Sequence, residues 1–295
     1  MKRPSFMQRR SVRIRNGGFD IAIEDSGGTG RPCVLLHGRG ECSSVWRTLT
    51  EAAPSDHRFV TIDFRGHGDS SWDPNGNYDP RTLAGDVFEV LMALNIRQPV
   101  LVGHSLGGSV ALHLIGMLEQ FASGLVLVDF GPESDSAGSQ KVRTEIRETP
   151  TRFNSIAEYA QWLQDRRPLA SARALHYMAA HALRPTHTGA YEPKLDRAVA
   201  DDRPLNDGSR EEHVWTMLRS VRCPSLVVRG VGSAILKPQV ALRMAHHALP
   251  KGRLATISGA GHAVMTDNPG EFNQTIQAFL ASLSPVASGD QPCSQ

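Results

Sequence analysis

Cysteine is scarce in this chain. Cys33, Cys42, Cys223 and Cys293 lie far apart, and no two form a CxxC pair. Four scattered thiols exclude a disulfide framework and suit reduced cysteines in a cytoplasmic protein. Long apolar runs are missing too, so no segment is expected to span a membrane. The basic opening MKRPSFMQRRSVRIRNGG is followed by no apolar core, which argues against a secretory signal and reads as a solvated arm. Neither sign of charge dominates: 32 Lys and Arg stand against 30 Asp and Glu, a formal net charge of +2. That balance points away from nucleic acid and from membrane surfaces as partners. No internal repeat occurs. The absence with most consequence is local: from His213 through Thr266 there is no Asp or Glu.

What is present describes a globular α/β protein. Hydrophobic residues make up 40% of the chain and charged ones 21%, enough for a substantial core. SVRIRNGGFDIAIED alternates on both sides of Asn16-Gly17-Gly18, which predicts a β-hairpin. Six apolar runs follow, each ending in a polar or glycine-rich turn: CVLLHG, RFVTIDFRG, VLVGHS, LVLVDFGPE, SLVVRG and RLATISGAGH. Continuous hydrophobicity suits strands covered on both faces, as in a parallel sheet. Helical patterns lie between them. In DPRTLAGDVFEVLMALN, Leu83, Val87, Val90, Leu91 and Leu94 make one stripe, and SLGGSVALHLIGMLEQF is apolar nearly all round. The alternation predicts a doubly wound, mostly parallel eight-stranded sheet. Between residues 131 and 222 the patterns are helical with no strand signal. The expected organisation is a core of 11–130 and 223–283, a helical cap or lid of 131–222 inserted after the sixth strand, and a disordered tail of 284–295.

VLVGHSLGGSVAL reads as strand, Gly103-His104-Ser105-Leu106-Gly107, then helix. That is a G-x-S-x-G nucleophile elbow in its required context. Glycines on either side let helix and strand pass closely, and Ser105 then projects at a helix N-terminus, where developing negative charge is favoured. Read alone, the turn could also be a glycine-rich helix start capped by its serine. Three further segments complete a pattern: HGRG (His37–Gly40) with Trp46 after it, DFRGHGDS (Asp63–Ser70), and GAGHAVMTDNPGEF around His262. Together they resemble the α/β-hydrolase fold family over roughly residues 11–283.

The resemblance implies Ser105 as nucleophile, His262 as its general base, and an oxyanion hole from the backbone N–H groups of Arg39 and Leu106. His37, His67 and His104 read as structural. In the family's commonest pattern the triad acid follows the seventh strand in a loop like GxxSDxL. Here that loop is Gly230-Val231-Gly232-Ser233-Ala234-Ile235-Leu236, and Ala234 stands where the aspartate would be. The acid-free tract excludes a shifted alignment. The sixth strand, in LVLVDFGPE, offers Asp129 instead, with Glu133 and Asp135 as alternatives. VD-x-x-P after the sixth strand and RGxxSxxL after the seventh resemble the subgroup with the acid at this place, which includes acetamidomethylene-succinate hydrolase.

These residues imply a serine hydrolase acting on an ester, amide or lactone of a small molecule through an acyl-enzyme. Two other readings use the same residues: a C–C bond hydrolase, and a cofactor-free dioxygenase built on a His262–Asp129 dyad. An aspartate nucleophile is excluded by Ser105. The pocket is expected beside the insertion, with Trp162, Tyr159, His181 and Met178 as lining candidates and His176, Tyr177 and Trp215 as further ones. Neither HExxH nor an acid-rich cluster is present, so no metal or cofactor is expected. A small-molecule substrate is the expected partner, with a homodimer left open.

Overall fold

A computed structural model describes residues 8–14, 17–52, 56–117, 121–133, 136–201 and 209–283. Eight strands form one sheet: β1 (Gln8–Arg13), β2 (Asp20–Asp25), β3 (Arg31–Leu36), β4 (His57–Ile62), β5 (Val100–His104), β6 (Gly124–Val128), β9 (Ser225–Gly230) and β10 (Gly252–Ile257). Their order is β1-β2-β4-β3-β5-β6-β9-β10. The hairpin β1–β2 is antiparallel, and so is β2 against β4; every later pair is parallel. The N-terminal hairpin thus closes one edge of a parallel sheet.

Successive side chains on a strand face opposite ways, and both faces here are covered. Val34, Leu36, Leu101, Leu125, Leu127 and Val227 belong to one apolar cluster. Their neighbours Cys33, Leu35, Val100, Val102, Val126 and Val128 belong to another. The first cluster packs under α2 (Pro80–Ala93) and α3 (Leu106–Met117). The second packs under α10 (Pro269–Ala281) and the Trp46 turn, where Trp46 and Phe272 rings approach to 6.3 Å. Asp79 caps α2 by accepting from the backbone N–H groups of Arg81 and Thr82, with Pro80 at the first turn. Its stripe of Leu83, Val87, Val90 and Leu91 is buried. On α3 the buried residues run from Leu106 through Leu112, which is why its pattern shows no polar face.

The stretch after β6 holds α4 (Ser136–Glu148), α5 (Ile156–Arg166), α6 (Ala172–Ala182) and α7 (Ser209–Ser220). It is not wholly helical. β7 (Leu183–Pro185) and β8 (Tyr191–Pro193) pair antiparallel as a separate two-stranded ribbon. Three-residue strands bounded by proline leave no periodic signal, so sequence patterning misses them. The predicted tail 284–295, and Asp135, lie outside the described residues. Among the described residues no helix is long and apolar enough to cross a membrane.

Candidate active site

Ser105 sits at the abrupt turn from β5 into α3, at φ 49°. A serine in left-handed backbone is strained, and the neighbours hold it there. A Cβ on Gly103 would stand 2.3 Å from the Gly107 carbonyl oxygen, and one on Gly107 would stand 2.2 Å from that of Leu36. Only glycine permits strand and helix to approach so closely at both places. The Ser105 N–H donates to the Val128 carbonyl at 3.0 Å, tying the turn to the end of β6.

Asp129 follows directly, one strand over, and it too has positive φ, 46°. Its N–H donates to Val228 O on β9 at 2.8 Å, so the residue leaves β6 between two neighbours and turns its fully buried side chain along the sheet edge. His262 Nδ1 donates to Asp129 Oδ2 at 2.7 Å. Ser233 Oγ donates to the same oxygen at 2.5 Å, and Gly230 N–H reaches Oδ1 at 3.4 Å. Ser233 in turn accepts from the N–H groups of Ile235 and Leu236. The loop that lacks an aspartate therefore supplies donors to the Asp129 carboxylate. Arg229 holds that loop by donating to the carbonyls of Leu236, Val231 and Ser233. The Arg and Ser of RGxxSxxL thus have separate tasks, one shaping the loop and one binding Asp129. Glu133 is engaged elsewhere, with Trp215 Nε1 at 3.2 Å and with Arg243.

With Nδ1 committed as a donor, His262 presents Nε2 as an acceptor. Its side chain is about a quarter exposed, at 24%. Leu106 and Arg39 line the same small cavity as Ser105, about 100 Å³ in volume. The Arg39 guanidinium is tied to the Val199 carbonyl at 2.5 Å. His37 and His67 support this loop: His37 accepts from Phe64 N–H and donates to Gly38 O, while His67 accepts from Gly40 N–H and donates to Arg65 O. Burial pushes both imidazoles below the ordinary histidine value, His67 strongly.

His104 differs from those two. It is buried, with Nδ1 2.9 Å from Glu41 Oε2 and Nε2 3.0 Å from the His262 carbonyl oxygen. Glu41 also accepts from Gly38 N–H at 3.0 Å and from Arg167 Nη1 at 3.0 Å. Burial disfavours the charged form of Glu41, but His104, Arg167 and the Gly38 N–H outweigh it and hold the carboxyl well below its usual range. Sequence reading passed over Glu41, since nothing local links it to a histidine 63 positions away. It also took His104 for packing, whereas the structure gives it a charged partner.

A larger cavity of about 270 Å³ adjoins His262. Tyr159 and Trp162 line it, their rings stacked at 5.6 Å, together with Leu163, Ile146, Ile235 and Ala234. The two cavities share Arg39, Val142 and Ile235. Met178 and His181 do not line the larger cavity directly. Met178 is buried beside a smaller void of about 30 Å³ that shares Tyr159, Leu163 and Arg167 with that cavity, and His181 donates to the Tyr177 carbonyl while its ring packs on Tyr177 at 3.9 Å. Trp215, on α7, is buried in the core and lines neither cavity. The helix stripes that suggested pocket residues mostly face the core. Among the described residues no group of three His, Cys, Asp or Glu side chains is placed to hold a metal ion.

The sequence profile of the alpha/beta hydrolase family matches residues 33–275. The chain belongs to the alpha/beta hydrolase family. An esterase of Mycobacterium tuberculosis is 24% identical over 261 residues, covering 86% of this chain and 84% of that protein. The crystal structure of E-2-(acetamidomethylene)succinate hydrolase superposes with a TM-score of 0.81 at 22% identity, over 93% of this chain and 100% of that one. An alpha/beta hydrolase from Novosphingobium aromaticivorans gives 0.80 at 25% identity, over 94% of this chain and 99% of that one. The expected fold is therefore the observed one, and the chain is a member of a family of hydrolases.

Proposed function

We propose that this alpha/beta hydrolase is a serine hydrolase that cleaves an ester, amide or lactone of a small molecule through an acyl-enzyme on Ser105. The observation that carries the reading is the 2.7 Å bond from His262 Nδ1 to the buried Asp129 carboxylate, at the strand end next to the strained Ser105 turn. Asp129 fixes the His262 tautomer with Nε2 free of hydrogen. Nε2 takes the Ser105 proton as Oγ attacks the carbonyl, and Asp129 stabilises the imidazolium that results. The N–H groups of Leu106 and Arg39 receive the oxyanion, a contribution of about 3–4 kcal/mol per donor in comparable sites. The imidazolium then protonates the leaving group. Water, activated by the same histidine, releases the acid.

The residues after β6 act as a cap in this reading, because Tyr159, Trp162 and Leu163 of α5 wall the cavity beside His262. A pocket of that size and mixed lining favours a substrate with a compact apolar or aromatic portion. Esterase and hydrolase relatives support the reaction class. The test is hydrolysis of short p-nitrophenyl esters by the wild-type chain and by Ser105→Ala. Turnover abolished by the substitution is expected. No turnover by either, together with O₂ uptake on heteroaromatic substrates that survives Ser105→Ala, would favour dioxygenase chemistry instead.

A further inference from the structure

We propose that His104 is a positioning residue for His262: held as an imidazolium between Glu41 and the His262 backbone carbonyl, it pins the loop carrying the catalytic base, and Arg167 of the insertion anchors the other end of the chain. The inference rests on the reading of His262 as the base. Its ground is the donor and acceptor count around the His104 ring. Nδ1 faces a carboxylate oxygen at 2.9 Å and Nε2 faces a carbonyl oxygen at 3.0 Å. A carbonyl can only accept. The Glu41 carboxylate is already committed as an acceptor, taking Gly38 N–H on the same oxygen and Arg167 on the other. A neutral imidazole has one N–H and one lone pair, so one of its two contacts would set lone pair against lone pair. Both contacts are satisfied only when both ring nitrogens carry hydrogen.

Surrounding charges agree with this count. From the loop after β3 come Glu41 and His37, from the end of β6 Asp129, from the loop after β10 His262, from the short helix Val264–Asp267 the Asp267 side chain, and from the insertion Arg167. Burial disfavours charge on His104, yet Glu41 and Asp129 outweigh it and raise the group above the ordinary histidine value. His37 is held neutral by burial and contributes no opposing charge near neutral pH. The His104 and His262 rings lie 4.6 Å apart at 44°, so the same side chain also backs the base sterically. Gly261 N–H donates to Asp267 Oδ2 at 2.9 Å. His262 is thus held at three points: its ring by Asp129, its carbonyl by His104, and the residue before it by Asp267.

The sign of the pH effect follows. A raised histidine keeps its charge below its folded-state value and loses it as pH rises through that value. Loss of the proton breaks one of the two contacts and releases either Glu41 or the His262 carbonyl. Activity should therefore have an alkaline limb that belongs to His104 and is sensitive to Glu41.

Two measurements test this. Side-chain ¹⁵N NMR of the full wild-type chain, with His104 assigned by the signal missing from His104→Gln, should show both nitrogens protonated at pH 7. A neutral tautomer at pH 7 would overturn the proposal, whatever reaction the protein performs. The pH profile of kcat/KM on a p-nitrophenyl ester should then have its alkaline limb moved down by about one unit in Glu41→Gln, because the stabilising carboxylate is gone. Arg167→Lys should leave the limb near its wild-type position. A uniform drop at every pH with the limb unmoved would mean that Glu41 and His104 only support the fold. Imidazolium signals without any ester turnover would count against the hydrolase reading while supporting the charged bridge.

Discussion

Replacing Asp129 by Asn separates charge from shape at the site's centre. The amide is nearly isosteric, so the fully buried position keeps its packing. Its single oxygen can serve only part of what the carboxylate serves now: His262 at 2.7 Å and Ser233 at 2.5 Å on Oδ2, and Gly230 N–H at 3.4 Å on Oδ1. If the amide oxygen faces His262, its NH₂ group confronts the Gly230 N–H, and the imidazolium formed in turnover loses its counter-charge. If the NH₂ faces His262, the ring moves to the tautomer with hydrogen on Nε2 and Ser105 has no base. Both outcomes raise the barrier, and an equivalent change in a Ser-His-Asp triad lowers kcat about 10⁴-fold. That corresponds to about 5.5 kcal/mol. Stability should change by less than about 2 kcal/mol, since removing a buried charge offsets a weakened bond. Ester hydrolysis gives kcat, and urea unfolding gives stability. A folded Asp129→Asn variant with kcat within tenfold of wild type would refute the assignment of the acid.

Three further outcomes follow from the same geometry. Ser233→Ala removes the donor to Asp129 Oδ2 and the acceptor for the Ile235 and Leu236 N–H groups; urea melts should show a loss of about 1–3 kcal/mol, with kcat lowered more than KM is raised. Trp162→Ala opens the cavity wall that its ring and the Arg166 guanidinium, 4.0 Å above it, form together; KM should rise for aryl-acyl esters while acetate turnover stays within about threefold. Stability should fall below about pH 6.5, because His37 and His67 are held below the ordinary histidine value when folded and take up protons first in the unfolded chain. Unfolding midpoints that stay level between pH 7 and pH 5 would contradict that.

The sheet was readable because burial on both faces leaves an unbroken apolar run, and each run ends where the chain meets solvent. The candidate nucleophile and base were readable for a similar reason: a strained serine turn and a tight histidine loop each demand glycines at set places. Asp129 emerged from an absence, as the acid-free tract from His213 to Thr266 leaves the loop after the seventh strand without a carboxylate. Other features lie in contacts that no local pattern records. Glu41 meets His104 from a neighbouring strand end and Arg167 from the stretch after β6, and each is unremarkable in its own stretch. The serine of RGxxSxxL carries no sign of its partner either: Ser233 bonds the Asp129 carboxylate, which lies on a different strand end. The α6 stripe containing Met178 and His181 carried a helical period, but a period cannot tell a core-facing stripe from one facing a cavity.

The central claim is that Ser105 is a nucleophile activated by a histidine whose acid is Asp129. Intact-mass and peptide mass spectrometry after fluorophosphonate treatment tests it most directly. A single adduct on Ser105 is predicted, absent from Ser105→Ala and formed far more slowly in Asp129→Asn. An unlabelled wild-type chain, or an adduct on any other residue, would contradict it.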